Sequence, residues 1–142
     1  MECMAASDNV VRSGLTPKYI DTETLCSMLT YKNPEVGEPC RQIVNPTPIG
    51  DAGLLYTPGT PDFTVAKFTL KPETDLTLPV RDGPSILLVV AGKGGKFSAK
   101  RNSGEVYNEG NFHRGMSLFM DADDVLHVSS GEDQLQIFQA FC

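Results

Sequence analysis

Two cationic side chains near the amino end of the chain lie among residues that restrict the backbone. Arg12 and Lys18 share a segment with Gly14 and Pro17. Glycine permits a positive φ or a close backbone approach, and proline fixes an extended entry to the residue after it. A guanidinium and an ammonium held on such a loop can clamp a phosphorylated or oxyanionic ligand. From residue types alone, solvated surface charge is the favoured role for both side chains, and an anion site is the alternative that this segment offers.

A glycine-rich run at residues 92–96 has the composition of a phosphate-binding loop but not its spacing. The motif G-x-x-x-x-G-K-[ST] needs Gly at position 90 and Ser or Thr at position 97. The chain has Val90 and Phe97 there, and the run falls between two strand-like segments rather than before a helix. We predict a hairpin turn that pairs strand 86–90 with strand 96–100.

Metal-binding motifs are also incomplete. The acidic run 121–124 lacks the glycine of a calcium loop, because Leu126 stands at the sixth position, and we predict a solvated turn. His113 and His127 are fourteen positions apart and form no H-x-H or H-E-x-x-H pair. We expect each to be a surface or partly packed imidazole rather than a metal ligand. Neither lies in a nucleophile motif of a hydrolase triad.

The composition favours a globular protein without a polyanionic partner. The 142 residues suffice for one domain, and 12 basic against 18 acidic residues give a net charge of −6. This balance argues against nucleic acid or an anionic membrane surface as the main partner, because phosphates would be repelled. We expect no membrane span, since no run of 18 apolar residues exists, and no secretory signal. The widely spaced Cys3, Cys26, Cys40 and Cys142 are predicted to be reduced thiols of a cytoplasmic protein.

One helix is predicted, directly after the cationic segment, over residues 22–31. Asp21 is a suitable N-cap, and Glu23 stands in the first turn, where the helix dipole favours negative charge. Leu25 and Met28 fall on one apolar face. We therefore expect these two side chains to make core contacts.

The rest of the chain is predicted to be a proline-rich connection followed by a β domain. Residues 32–61 hold six of the ten prolines, which excludes long regular elements there. From residue 62 onward, roughly seven short strands at turn-marked spacing indicate an antiparallel sandwich or open barrel. The continuously apolar strand 86–90 is expected to be buried on both faces. The expected division is thus a loop and helix segment at 1–31, a connection at 32–61 and a β domain at 62–142. The clearest strand segments are 66–70, 86–90, 96–100, 116–120, 125–129 and 135–141.

The opening segment closely resembles one sequence family. Residues 4–18 read M-A-A-S-D-N-V-V-R-S-G-L-T-P-K. Together with the helix after them, they resemble the type I mannose-6-phosphate isomerases, whose usual run is close to S-D-N-V-V-R-A-G-L-T-P-K. Ser13 replaces a common Ala of that run.

The later part of the chain is similar to that family's C-terminal cupin half in pattern only. The matching segments are 61–63, 85–88 leading to Gly92, and 114–119. Asp121 stands where cupins often have Pro, and no His occupies the metal position after it. The resemblance implies a mainly β, cupin-like (jelly-roll) antiparallel barrel or sandwich with one short N-terminal helix, and no metal held by this half.

The resemblance also implies an activity and a role for both cations. Family members interconvert mannose 6-phosphate and fructose 6-phosphate, an aldose–ketose isomerisation through a cis-enediol with one bound zinc, and so feed GDP-mannose synthesis. Arg12 matches the family's active-site arginine, where a guanidinium can stabilise charge on the enediolate oxygens. Lys18 matches a lysine near the substrate phosphate, for which an ammonium supplies a point charge.

The family's zinc ligands, a Gln, a Glu and two His, have no counterpart in this sequence. They lie upstream of the segment where it begins. The resemblance therefore implies that the chain is about the last third of such an enzyme, that it binds no zinc alone, and that an N-terminal catalytic domain is its missing partner. We expect no isomerase turnover from the 142-residue chain by itself.

Two alternatives to the C-terminal portion of a mannose-6-phosphate isomerase stay open. One is a stand-alone, non-catalytic cupin-like module that binds a sugar phosphate or serves as an interaction surface. The other is an unrelated β-sandwich, which would require the opening match to be coincidental.

Overall fold

The protein is described by a computed structural model that covers Cys3, residues 10–29, residues 44–59 and residues 61–142. The chain divides into two compact units, Met1–Cys3 with Val44–Cys142, and Met4–Ile43. We call the first the β unit and the second the loop–helix unit, and each is described by itself. The three-part division expected from the sequence stays a prediction.

The described part of the β unit contains ten strands: β1 (Thr47–Ile49), β2 (Gly53–Tyr56), β3 (Thr64–Leu70), β4 (Asp75–Thr77), β5 (Ser85–Ala91), β6 (Lys96–Lys100), β7 (Val106–Asn111), β8 (Ser117–Met120), β9 (Val125–Ser129) and β10 (Leu135–Phe141). They form a six-stranded sheet in the order β1-β2-β3-β10-β5-β8 and a four-stranded sheet in the order β4-β9-β6-β7. Neighbouring strands in both sheets are antiparallel. This architecture confirms the mainly β, cupin-like class.

The six strand segments that the sequence predicts are confirmed as β3, β5, β6, β8, β9 and β10. The other four strands are short or polar: β1, β2 and β4 have three or four residues, and every residue of β7 is exposed. Such strands lack the apolar alternation on which a prediction rests. The described part of the proline-rich segment, residues 44–59 and 61, contains β1 and β2.

One hydrophobic core lies between the two sheets. Alternate residues of β3, β5 and β10 face it from the larger sheet, and alternate residues of β6 and β9 face it from the smaller one. Phe68, Leu87, Ile137 and Val128 are at most 1% exposed, and burial of such side chains stabilises the fold by about 1.5–3 kcal/mol each.

The expectation that β5 is buried on both faces is wrong, because burial alternates along the strand. Leu87 and Val89 are buried, whereas Ile86 is 57% exposed. Only the inner face of the six-stranded sheet meets the core, so a continuously apolar strand here places alternate residues on the outer face.

The predicted hairpin after β5 is wrong. Strand β5 pairs with β10 and β8, whereas β6 pairs with β7 and β9. The glycine-rich turn therefore carries the chain from one sheet into the other. Gly92 adopts φ +117, and a Cβ there would lie 2.8 Å from Leu135 Cδ1; a Cβ on Gly95 would lie 2.6 Å from the Ser129 carbonyl oxygen. At these two positions the turn passes so close to its neighbours that a side chain is excluded.

In the loop–helix unit, α1 spans Thr22–Met28 with Asp21 as its N-cap, as predicted. It ends before the predicted limit, because Leu29 takes an extended backbone, φ −65 and ψ 137; position 31 lies outside the described residues. The expected core contacts are also wrong. No residue of α1 is buried, Leu25 is half-buried and Met28 is 61% exposed.

No helix within residues 10–29, 44–59 and 61–142 is long and apolar enough to cross a membrane.

Candidate functional site

The structure places Arg12 and Lys18 on one loop whose ends are joined by a hydrogen bond. The Asp21 amide donates to the Arg12 carbonyl oxygen at 2.8 Å. This bond closes residues 12–21 into a loop that leads directly into α1. Arg12 is half-buried and Lys18 is exposed. Closure of the loop lowers its conformational freedom, which a binding loop must otherwise lose when its ligand binds.

Asp21 has a second set of bonds, to the first turn of α1. The Thr24 amide donates to Asp21 Oδ1 at 3.0 Å, and the Thr24 hydroxyl donates to Oδ2 at 2.8 Å. The amide bond first, and the hydroxyl bond second, hold the pKa of the Asp21 carboxyl below its usual value, because both favour the carboxylate. The N-cap that the sequence predicts is thus made by the side chain itself.

The turn before Lys18 is fixed by a side chain within the loop. The Lys18 amide donates to Thr16 Oγ1 at 3.2 Å across Pro17. Leu15, just before this turn, has φ +57 and a fully exposed side chain. A left-handed backbone costs a non-glycine residue about 1–2 kcal/mol, so this loop shape is held by its hydrogen bonds rather than by local preference.

A second polar cluster, which the sequence did not indicate, lies inside the β unit. Gln139 Nε2 donates to Ser85 Oγ at 3.0 Å, and Arg81 Nε and Nη2 each approach Gln139 Oε1 at 3.4 Å. Gln139 is 3% exposed and Ser85 4%. The Arg81 guanidinium also lies 3.8 Å from the centre of the Phe141 ring, and its burial lowers its pKa.

The interior next to this cluster is filled. The cavity that Arg81, Ser85 and Gln139 line has a volume of about 10 Å³, which is room for about one water molecule. The position of Gln139 on the inward row of β10, after Leu135 and Ile137, is the one sequence feature that could have indicated a buried polar group there.

In the acidic turn after β8, Asp121 and Asp123 are exposed as the predicted solvated turn requires, and Asp124 departs from the prediction. Arg101 pairs with Asp121, and its Nη1 lies 3.2 Å from Asp124 Oδ2. The Asp124 side chain is 3% exposed, so it is not the solvated carboxylate that the sequence predicts. Tyr107 adds a hydrogen bond to Asp124 and lies with its ring 4.2 Å from the Arg101 guanidinium carbon.

Within the described part of the chain, each histidine contacts one neighbouring polar group. His127 Nδ1 lies 2.7 Å from Thr77 Oγ1, and His113 Nδ1 lies 3.3 Å from the Arg114 carbonyl oxygen. Across the described ranges, no three His, Cys, Asp or Glu side chains come close enough together to hold a metal ion.

Comparison with known structures first defines the class. The β unit is a double antiparallel sheet of the cupin type: the cupin domain of Drosophila melanogaster CENP-C matches 69% of the chain and 74% of its own length, with a TM-score of 0.51 and 13% identity. Residues 53–95 match the family model described as phosphomannose isomerase type I C-terminal. By sequence, the chain is therefore a relative of the type I mannose-6-phosphate isomerases.

The similarity extends along the whole chain. Mannose-6-phosphate isomerase 2 of Arabidopsis thaliana is 40% identical over 140 residues, which are 99% of this chain and 29% of that protein. A point mutant of phosphomannose isomerase from Salmonella typhimurium has a TM-score of 0.67 at 24% identity, over 96% of this chain and 31% of that one. The chain spans about a third of the length of the curated relatives it matches.

Proposed function

We propose that the chain is the C-terminal portion of a mannose-6-phosphate isomerase and contributes Arg12 and Lys18 to its active site. The observation that carries the proposal is the closed loop, with the Arg12 carbonyl bonded to the Asp21 amide at 2.8 Å. It holds the two cations that match the family's substrate-contacting positions on one short, hydrogen-bonded segment. The similarity to mannose-6-phosphate isomerases over 99% of the chain supports it.

The reaction of such an enzyme gives each cation a distinct task. Interconversion of mannose 6-phosphate and fructose 6-phosphate moves a proton between C2 and C1, and negative charge develops on the enediol oxygens. We assign stabilisation of that charge to the Arg12 guanidinium, whose planar donors suit oxyanions. We assign the phosphate group to Lys18, whose exposed ammonium can act as a point charge.

The zinc ion that the family implies does not fit the described residues. They offer no group of three His, Cys, Asp or Glu side chains, and a catalytic zinc site needs about three protein ligands. We propose that zinc belongs to an N-terminal catalytic domain beyond these residues, and we assign no step to a metal held by this chain. We further propose that the complete protein acts in the cytoplasm and supplies GDP-mannose synthesis.

A binding measurement tests the role of Arg12. Calorimetric titration of the 142-residue chain with mannose 6-phosphate is expected to show binding that Arg12→Ala weakens at least tenfold, since a charge-assisted bond is removed. Arg114→Ala, which removes an exposed arginine of the β unit, is the matched control and is expected to leave the affinity unchanged. Equal affinity of wild type and Arg12→Ala would contradict the assignment.

The second candidate is a stand-alone, non-catalytic cupin-like module. It is favoured by the absence of a metal-ligand cluster among residues 10–29, 44–59 and 61–142. The genomic sequence upstream separates the two: a continuous reading frame that encodes zinc ligands supports the isomerase portion, and a genuine start without them supports the module. In the second case, complete lack of mannose 6-phosphate binding would indicate an interaction surface.

A further inference from the structure

Asp21 is bonded on both sides, to the start of the cationic loop and to the first turn of α1. Its amide donates to the Arg12 carbonyl oxygen at 2.8 Å. Its carboxylate accepts from the Thr24 amide at 3.0 Å and from the Thr24 hydroxyl at 2.8 Å. One residue therefore forms both the end of the loop and the cap of the helix. Any change in its backbone direction moves the Arg12 main chain with it.

The residues between the two cations offer little packing that could hold the loop. Ser13, Gly14, Leu15 and Pro17 are exposed, and Leu15 lies in the left-handed region with φ +57. A Cβ built on Gly14 would meet no atom within 4 Å. Because side-chain burial does not fix this segment, the hydrogen bonds at its ends and across Pro17 must do so.

We propose that Asp21 is a positioning residue that acts through Arg12: its cap on α1 fixes the backbone that closes the loop, and thereby places the guanidinium for its oxyanion ligand. The proposal rests on the function assigned to Arg12 above and adds a group that makes no contact with the ligand. The cap has no task in core packing, since α1 contains no buried residue.

Three variants separate positioning from a general effect on the helix. Asp21→Ala removes both bonds to Thr24, whereas Asp21→Asn keeps a side-chain acceptor, and asparagine is as good an N-cap as aspartate. Ser27→Ala is the matched control: the Ser27 hydroxyl donates to the Thr24 carbonyl oxygen at 2.8 Å, so its loss perturbs the same helix without touching the loop.

Amide hydrogen exchange tests the geometry in the chain without any ligand. Asp21→Ala is expected to lower the protection of the residue-21 amide, corrected for intrinsic rates, by about fivefold, the loss expected for a missing N-cap. Asp21→Asn and Ser27→Ala are expected to stay within about twofold of wild type. Unchanged protection in Asp21→Ala would overturn the proposal.

A double-mutant cycle with mannose 6-phosphate tests whether Asp21 acts through Arg12. Asp21→Ala is expected to weaken binding about fivefold in the wild-type background and not at all in the Arg12→Ala background, because residues in one network are non-additive. Asp21→Asn is expected to restore the affinity. Equal losses in both backgrounds, or no loss in either, would overturn the positioning role alone. An Arg12→Ala variant that binds like wild type, or a wild-type chain that does not bind, would overturn the assigned function and this inference with it.

Discussion

The Tyr107 phenol and the Arg101 guanidinium connect the exposed strand β7 with the turn after β8. Tyr107 bonds to Asp124, and its hydroxyl also lies 3.6 Å from Met120 Sδ. Burial first, and the bond to Asp124 second, raise the pKa of Tyr107 to about 12. Burial disfavours the charged phenolate, and the hydrogen bond to the Asp124 carboxylate favours the protonated phenol.

This raised pKa makes stability depend on alkaline pH. Up to about pH 10 the phenol is protonated in the folded and unfolded protein, so its contribution is complete. Between about pH 10 and 12 the unfolded state loses the proton while the folded state keeps it, so the free energy of unfolding falls as pH rises. We expect Tyr107→Phe to reduce this fall, as measured by urea unfolding at pH 9 and pH 11.

The matched control for Tyr107 is Tyr19→Phe, which removes a phenol that is 81% exposed. Its alkaline loss of stability is expected to equal that of wild type. If Tyr107→Phe showed the same loss as wild type, the raised pKa of Tyr107 would not contribute to the alkaline loss of stability.

The residues of the site were predictable to different degrees. Arg12 and Lys18 could be proposed from the sequence because their loop is a continuous segment, to which local residue types and a family resemblance point. Their roles stay a prediction. Gln139 and Ser85 are 54 positions apart and meet only through the pairing of β5 with β10. Asp124 likewise looked like a turn carboxylate, because its partner Arg101 is remote in sequence. No local pattern encodes such contacts.

Among the elements, the glycine-rich turn between β5 and β6 carries the strictest requirement. Gly92 has φ +117, and a Cβ there would lie 2.8 Å from Leu135 Cδ1 and 3.1 Å from Leu135 Cα. Leu135 is 1% exposed at the start of β10. The turn and the central strand therefore cannot separate without breaking the core contact.

We expect Gly92→Ala to destabilise the protein by about 2–4 kcal/mol. About 1–2 kcal/mol comes from the left-handed backbone, and the rest from overpacking against Leu135. Gly104→Ala is the control, since Gly104 has φ +89 but a Cβ there would meet no atom within 4 Å. Urea unfolding measures the free energy of unfolding of both variants, and the difference between them gives the cost of the contact with Leu135. Equal destabilisation of both would show that Leu135 yields without cost.

Strands were predictable where burial of one face requires apolar residues to alternate along the sequence. The six strands with apolar alternation or apolar runs were found, whereas the fully exposed β7 and the short β4 carry no such pattern. The pairing of strands was not predictable, because two strands joined by a short turn fit a hairpin as well as a passage between sheets. Helix α1 was found from Asp21, but its early end at Leu29 and its exposed face depend on surroundings that the sequence does not state.

The whole molecule combines a cupin-type β unit with a loop–helix unit that carries the two cations. The interior near Arg81 and Gln139 leaves about 10 Å³, far less than the ~300 Å³ or more of a small-molecule pocket. Two other cavities of the β unit, of about 350 and 380 Å³, are lined by other residues. Arg12 and Lys18, the two cations that the family resemblance implicates, lie in the loop–helix unit.

We expect the 142-residue chain to show no isomerase turnover with or without added zinc. Loss of the metal removes several kcal/mol of transition-state stabilisation, which Arg12 alone does not replace. A coupled assay that detects fructose 6-phosphate from mannose 6-phosphate measures this, with the full reading frame as the positive control. Turnover by the chain alone would show that its own residues suffice for the reaction.

The position of β10 has a consequence for how this protein is made. It follows the other strands along the chain, yet it lies between β3 and β5 in the six-stranded sheet. A ribosome that adds about 5–20 residues per second needs roughly 3–13 s to travel from Leu70 to Leu135. Throughout that interval β3 has β2 available for pairing but lacks β10, its other partner strand. The six-stranded sheet therefore closes only after Leu135–Phe141 have left the exit tunnel.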